Sequence, residues 1–249
     1  ALPQLGDEKV RTSIRENYSA LLTLWGTELM KRNQVTDSKR SLAQAVALDN
    51  TNTVAHISLG DLAYETNDYP TAAKHYSAAL PLTKESKEYL TNRLQMIKDE
   101  SELESELHDV IDEKKRFLVQ HAQYGGGTTV TRVLDMLNEA YDIIGRDLGV
   151  YPARTVNVKI YTPDDFFKIA KLPEWAIGIF DGKMRLRVDE VQSAPALVRD
   201  LLFHEYTHAV LAMNVKQEVP AWFHEGIAQL MEPQFRENSR EQEQVRIAL

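Results

Sequence analysis

Residues 204–208, His204-Glu205-Tyr206-Thr207-His208, read H-E-x-x-H. Two histidines four residues apart lie one turn apart on a helix, so both imidazoles can reach a single metal ion. Glu205 follows the first histidine, where its carboxylate can hold and deprotonate a water molecule on that metal. The motif therefore predicts a metal site. Its alternative is a surface helix that carries two unrelated histidines.

The residues around the motif predict a helix. Pro195 suits a first helical turn and Asn214 suits a helix end. Charged groups in a largely apolar helix are costly to bury unless something pairs them, and a metal ion would do so. The apolar positions that recur with the helical period are Leu197, Val198, Leu201, Leu202, Tyr206, Ala209, Val210 and Leu211.

A second helix is predicted after a short loop, from Pro220 to Met231. Glu225 falls among the apolar residues of this helix. A catalytic zinc ion typically takes three protein ligands and leaves a position for water, and two histidines with one glutamate are a standard set. Two antiparallel helices could bring Glu225 opposite His204 and His208. The alternative is a solvated Glu225 at the edge of the helix.

The two segments together resemble the gluzincin metallopeptidases, in particular the peptidase MA-like family, whose pattern is H-E-x-x-H, a short loop and W-x-x-E-G-x-A. Residues 222–228 here read Trp-Phe-His-Glu-Gly-Ile-Ala, with small residues at 226 and 228. The resemblance implies a zinc ion with His204, His208 and Glu225 as its ligands. It also implies that Glu205 is the general base.

The sequence departs from the family pattern at two points. Many gluzincins place an acidic residue four positions after the ligand glutamate, where it orients the first histidine, but this chain has Gln229 there. A glutamine carbonyl can still accept an imidazole N–H, with less electrostatic support for the metal. Gluzincins also usually offer a tyrosine or histidine to the oxyanion of the transition state. His224 is the nearest candidate for that role.

The N-terminal third contains an internal repeat with a period of 34 residues. Small residues in such a repeat allow two antiparallel helices to pack closely. Over about residues 18–86 the segment resembles the tetratricopeptide repeat (TPR) family, which implies a surface for docking a protein partner or the substrate. The matched positions are Trp25-Gly26 with Leu59-Gly60, Asn33 with Asn67, Ser38 with Ala72, Leu42 with Tyr76, and Ala45 with Ala79.

Residues 87–111 are predicted to cap these repeats, because two repeats bury little surface on their own. Eight acidic residues fall between Asp99 and Glu113, and a solvated helix face explains them better than a contact for a basic partner. An all-α repeat domain is thus expected over residues 1–112. The apolar stripe of the cap consists of Leu90, Leu94, Ile97, Leu103, Leu107 and Ile111.

From residue 113 to 249 the pattern predicts an α+β domain with a small sheet and the H-E-x-x-H helix. Strands are expected at 116–121 and 155–161, and helices from Thr128 or Thr129 to Leu148 and from Pro163, with a flexible turn at the glycines 125–127. A hairpin is predicted around Asp181-Gly182-Lys183. The resemblance places it beside the metal as the strand that binds peptide. Arg185 and Arg187 could then contact the substrate. We favour the alternative that they are solvated charges at the edge of the sheet.

Composition excludes several functions. The net charge of −8 argues against nucleic acid and anionic membranes as main partners. The sequence has no cysteine, and no apolar run approaches the length of a membrane span. The compartment stays open between the cytosol and a periplasmic or secreted location, the latter favoured, because Ala1 is compatible with a processed terminus.

The sequence predicts a zinc-dependent metallopeptidase that docks a protein or peptide through its repeats. The alternative is a TPR adaptor whose metallopeptidase-like domain is inactive or purely structural, favoured by Gln229 and by the unassigned oxyanion residue. A third alternative is a chain shortened at its C-terminus, because the stretch after Pro233 has little apolar content. Gluzincin domains usually continue with packed helices.

Overall fold

A computed structural model of the chain describes residues 8–122, 126–152, 154–173, 176–215 and 219–235. The chain is mixed α and β, as predicted. It forms two compact units, which divide between Glu102 and Leu103 rather than after Asp112. The predicted turn residue Gly125 and the polar stretch beyond Phe235 lie outside the described residues.

The first unit consists of helices. Two of them have an asparagine or aspartate cap: Asn52 accepts a hydrogen bond from the amide of Ala55, and Asp68 accepts one from the amide of Thr71. The helices are α1 (Glu8–Lys31), α2 (Val35–Leu48), α3 (Thr53–Glu65), α4 (Tyr69–Ala79) and α5 (Lys87–Leu103).

The 34-residue period appears as two equivalent helix pairs, α1 with α2 and α3 with α4. The turn of each pair contains an asparagine in the left-handed region, Asn33 with φ 57° and Asn67 with φ 59°. Each pair also packs a glycine against a large side chain. A Cβ at Gly26 would lie 2.7 Å from the Cγ atom of Leu42, and the glycine of the second pair, Gly60, faces the ring of Tyr76 in the same way. The two helix pairs therefore share these local features at a spacing of 34 residues.

The predicted cap is correct only in its first part. Leu90 and Ile97 of α5 are buried, but the helix ends at Leu103, and the predicted continuation through Leu107 and Ile111 is wrong because those residues form a strand. The solvated acidic face is also wrong in part: Glu100 is buried and accepts hydrogen bonds from the hydroxyls of Tyr64 and Tyr69, at 2.6 and 2.5 Å.

The second unit is built on a five-stranded sheet with the spatial order β1-β2-β3-β5-β4. Strand β3 is parallel to both of its neighbours, and the two outer pairs are antiparallel. The strands are β1 (Leu107–Ile111), β2 (Phe117–Ala122), β3 (Val156–Tyr161), β4 (Gly178–Phe180) and β5 (Met184–Arg187).

In the described part of this unit, five α-helices accompany the sheet. Helix α6 already includes Gly126, so the predicted start at Thr128 or Thr129 is wrong. The hydrophobic core of the unit lies between one face of the sheet and helices α6 and α9, and it includes Val119, Val158, Leu137 and Leu202. The helices are α6 (Gly126–Leu148), α7 (Pro163–Ala170), α8 (Val188–Ser193), α9 (Pro195–Asn214) and α10 (Ala221–Met231).

The predicted hairpin is formed by β4 and β5, but its arginines are not solvated edge charges. Strand β5 lies between β3 and β4, so Arg185 is fully buried, and its Nη1 atom lies 3.2 Å from Oδ1 of Asp181. Arg187 donates to the carboxylate of Asp189 at 2.7 Å. Among the helices of the described ranges, none combines the length and apolar character that crossing a bilayer requires.

Candidate metal centre

Helix α9 holds the H-E-x-x-H residues on a rigid support. It begins at Pro195 and ends at Asn214, as predicted. Tyr206, inside the motif, is fully buried, and its ring lies near those of Phe117 and Tyr141. Burial of one side of the helix leaves His204 and His208 on the other side. The buried residues are Val198, Leu202, Phe203, Tyr206, Thr207, Ala209, Val210 and Leu211.

The three predicted ligand residues come together in the structure. The Nε2 atoms of His204 and His208 are 3.1 Å apart. One carboxylate oxygen of Glu225, on α10, lies 3.4 Å from Nε2 of His204, and the other lies 3.5 Å from Nε2 of His208. Of all the described residues, these three form the one group of histidine and carboxylate side chains able to hold a metal ion.

The spacing of these atoms is compatible with a zinc ion. Zinc bonds of about 2.0–2.2 Å to nitrogen and oxygen, at tetrahedral angles, place ligand atoms roughly 3.4 Å apart. The two histidine nitrogens are 3.1 Å apart, they lie 3.4 and 3.5 Å from different oxygens of Glu225, and one ligand atom from each residue lies within 4.8 Å of the others. The donor set of two imidazoles and one carboxylate leaves a fourth position open, as catalytic zinc sites do.

A fourth residue of the site, the acidic Glu232, orients the first histidine. Its Oε1 atom lies 2.8 Å from Nδ1 of His204, and because a carboxylate can only accept, Nδ1 carries the proton and donates it. This bond fixes the tautomer in which Nε2 of His204 presents its lone pair towards Glu225 and His208.

Glu232 takes the orienting position that the sequence assigned to Gln229, which is exposed on the surface of α10. The prediction for Gln229 is therefore wrong. The missed residue lies seven positions after Glu225 and just past the end of α10, so the helical pattern of the sequence gave no direct sign of it.

Glu205 is held beside the ligands by the edge of the sheet. The backbone N–H of Phe180, on β4, donates to Oε2 of Glu205 at 2.8 Å. Burial raises the pKa of Glu205 to about 6, although the nearby His204 and the hydrogen bond from Phe180 both lower it. A carboxylate with a pKa near neutrality can both take up and release a proton at physiological pH, as a general base and acid must.

The second histidine stays neutral near physiological pH. Burial, followed by the proximity of His204, lowers the pKa of His208. A neutral imidazole is the form that binds a metal. The ring of His224 stacks near that of His208, with 6.3 Å between centroids and 23° between planes. His224 is therefore close to the candidate centre, and its role towards an oxyanion stays a prediction.

The predicted hairpin lies next to the site. Strand β4 is at the edge of the sheet, and its residue Phe180 contacts Glu205 directly. Sequence patterns alone gave no sign of that hydrogen bond, because a backbone amide has no residue type to recognise.

Comparison with known protein families finds no family model that matches the chain. Comparison with curated proteins finds no match either. Function is therefore inferred from the residues and their geometry.

Proposed function

We propose that this protein is a zinc-dependent metallopeptidase of the gluzincin type. The proposal rests on the cluster of His204, His208 and Glu225, in which the two Nε2 atoms are 3.1 Å apart and each lies within 3.5 Å of a different oxygen of the Glu225 carboxylate. Glu205 lies beside this cluster with a raised pKa, which supports an enzymatic role over a purely structural one.

The chain's own residues account for binding and proton transfer. His204, His208 and Glu225 would hold the zinc ion, and Glu232 keeps His204 in the binding tautomer. A bound zinc ion supplies Lewis-acid chemistry, which acidifies a water molecule and polarises a carbonyl group.

Glu205 would carry the proton. Its Oε2 atom accepts the amide of Phe180, so the carboxylate is anchored and Oε1 is the oxygen left to act as the base. Oε1 takes a proton from the attacking water, and the same carboxylate returns it to the leaving amine of the cleaved peptide bond. Its pKa near 6 suits both steps.

The two units would divide the work of recognition. The edge strand β4 reaches Glu205 through Phe180, so an extended peptide that pairs with this edge would be brought to the base. The repeated helix pairs of the first unit share the spacing of tetratricopeptide repeats, and we assign to them the docking of a protein partner or substrate.

Zinc analysis and one isosteric substitution test the proposal. The purified protein, supplied with zinc, should hold about one ion per chain and cleave members of a broad peptide library. Glu205→Gln should keep the zinc and the fold but lose activity by about 10²–10⁴-fold, because the general base is removed. Asp200→Asn, on the same helix, is the matched control and should keep wild-type activity.

A second candidate function is that of a repeat adaptor whose second unit binds metal without catalysis. The exposure of Glu225, whose side chain is 64% accessible, favours it, because an exposed ligand holds a metal less firmly. Zinc binding with no cleavage above that of Glu205→Gln would support the adaptor. A protein that takes up no zinc would contradict both functions.

A further inference from the structure

Helix α1 extends well beyond the helix pair to which it belongs. Its buried residues are Ser19, Thr23, Gly26 and Leu29, all in the part that packs against α2. Every residue from 8 to 18 is exposed. A short helix in water is only marginally stable by itself, so a helical extension with no buried residue gains stability only by packing on another surface.

An apolar stripe runs along the extension and continues to Trp25, and none of its members is buried by the described residues. The residues of the stripe lie at spacings of four, four, three and four, which place them on one side of the helix. Such a stripe is typical of helices that pair with another helix. The α1 stripe consists of Val10, Ile14, Tyr18, Leu21 and Trp25, with exposures of 45, 53, 54, 62 and 52%.

Four of the five stripe positions are symmetric about a point between Asn17 and Tyr18, and Tyr18 itself would face Asn17 of a second copy. If a second α1 lay antiparallel across the first, with a twofold axis at that point, Val10 would face Trp25 of the other helix and Ile14 would face Leu21. The pairing sets the smallest side chain of the stripe against the largest. A parallel pair would instead place two tryptophans opposite each other and leave two valines opposite each other. A self-complementary patch of this kind is what a twofold dimer requires.

We infer that the protein forms a homodimer in which α1 pairs antiparallel with α1 of a second copy through the α1 stripe. The accessible area of the stripe is sufficient for such a pairing. Leu24 lies beside the stripe and is 66% exposed. Together these side chains offer on the order of 600 Å² per copy, close to the roughly 800 Å² that each partner contributes to a stable interface.

Engineered cysteines test the direction of the pairing, because the natural sequence has no cysteine to interfere. In the antiparallel dimer, Ile14→Cys mixed with Leu21→Cys should form a disulfide between the two variants under mild oxidation. Either variant alone should not, because residue 14 and its own counterpart are separated by about 10 Å along the helix axis. Glu16→Cys, on the opposite side of α1, is the control and should not cross-link.

Each result decides the proposal. Cross-linking of the mixed variants only, with about the same yield whether or not zinc is present, supports it. Efficient cross-linking of each variant with itself would indicate a parallel pair and overturn it. No cross-linking in any combination would mean that the α1 stripe is not covered by a second copy.

Sedimentation of the full chain gives an independent measurement. The wild-type protein should sediment as a dimer of its 28.4 kDa chain. Leu21→Glu should weaken the dimer by about a hundredfold or more, since each interface loses two buried leucines, and Glu16→Gln should leave it unchanged. A wild-type protein that stays monomeric at about 100 µM would overturn the inference.

Discussion

Among the described residues, two histidine pairs have ring nitrogens within hydrogen-bonding distance of each other, one pair in each unit, and their surroundings differ. In the second unit, the Nε2 atoms of His204 and His208 are 3.1 Å apart on a single helix. In the first unit, the Nδ1 atoms of His56 on α3 and His75 on α4 are 3.0 Å apart. By the distance between ring nitrogens alone, the two pairs cannot be told apart.

The neighbours of each pair separate them. Both nitrogens of the second-unit pair lie within 3.5 Å of the carboxylate of Glu225, and Glu232 accepts the remaining proton of His204. The first-unit pair lies near cations. Burial is the largest cause of the lowered pKa of His75, and the proximity of His56, Lys74 and Lys39 lowers this pKa further. Positive neighbours repel a metal ion as they repel a proton.

The protons of the first-unit pair are also fully used within the protein. The Nε2 atom of His56 lies 3.2 Å from the carbonyl oxygen of Asn50, so it carries a proton and donates it. Nδ1 of His56 is then an acceptor, and His75 donates to it. This pair is a hydrogen bond between two helices, whereas the other lies on one helix and faces the carboxylate of Glu225. A third candidate ligand and the local charge therefore distinguish the proposed metal site from a hydrogen-bonded histidine pair.

The largest expected difference between the pairs is in zinc affinity. His208→Ala should weaken zinc binding by about a thousandfold, because one of three protein ligands is lost. The matched substitution His56→Ala should leave the affinity unchanged. Competition with a chelator of known affinity measures both, and equal losses in the two variants would break the comparison.

A smaller effect is expected at the residue that orients the ligand. Glu232→Gln should weaken zinc binding by about 10–100-fold, because His204 loses the charged acceptor that fixes its tautomer. Gln229→Ala, on the exposed side of the same helix, should stay within about twofold of the wild type. If Gln229→Ala weakened zinc binding more than Glu232→Gln did, the assignment of Glu232 would be wrong.

The smallest effect concerns the first-unit pair and pH. Burial lowers the pKa of His75 below its ordinary 6.5, so below that pH the unfolded chain binds a proton that the folded chain does not. Stability should therefore fall as the pH falls below 6.5. Between pH 7 and pH 5, the Tm of His75→Asn should fall by about 2 °C less than the Tm of the wild type.

Thermal unfolding with a chelator present measures this difference without a contribution from zinc. Lys74→Gln should change the acid sensitivity in the same direction by a smaller amount, since it removes one repulsive charge and leaves the burial. An unchanged pH dependence in His75→Asn would contradict the interpretation of this pair.

Much of the fold follows from local patterns in the sequence. The helix pairs of the first unit were predicted because small residues recur every 34 positions, and each of these residues has a fixed neighbour, as Gly26 has Leu42. Helix α9 and strand β3 were predicted because their apolar residues follow the periods of 3.6 and 2. These signals lie within the elements themselves.

The errors concern partners that are distant in sequence. Strand β1 was predicted as helix because Leu103, Leu107 and Ile111 are spaced by four, but pairing with β2 makes it a strand. Arg185 was predicted to lie at an edge of the sheet. This prediction failed because the order of the strands in the sheet differs from their order along the chain, which puts β5 between β3 and β4.

The candidate site shows the same division. His204, Glu205 and His208 are set by one helix and were predicted from it. Glu225 depends on how α10 packs on α9, and its position followed from a resemblance. Glu232 lies beyond the last apolar residue of α10, where the helical pattern ends, so only the packed structure brings it to His204.

Helix α10 itself is weakly held. Of its 11 residues only Ala228 is buried, whereas the neighbouring α9 buries eight. A metal bound by Glu225 and the two histidines would therefore act as a cross-link between a firmly packed helix and a loosely packed one. Amide hydrogens of α10 would then exchange with solvent slowly when the ion is bound and rapidly when it is removed, while those of α9 would change little.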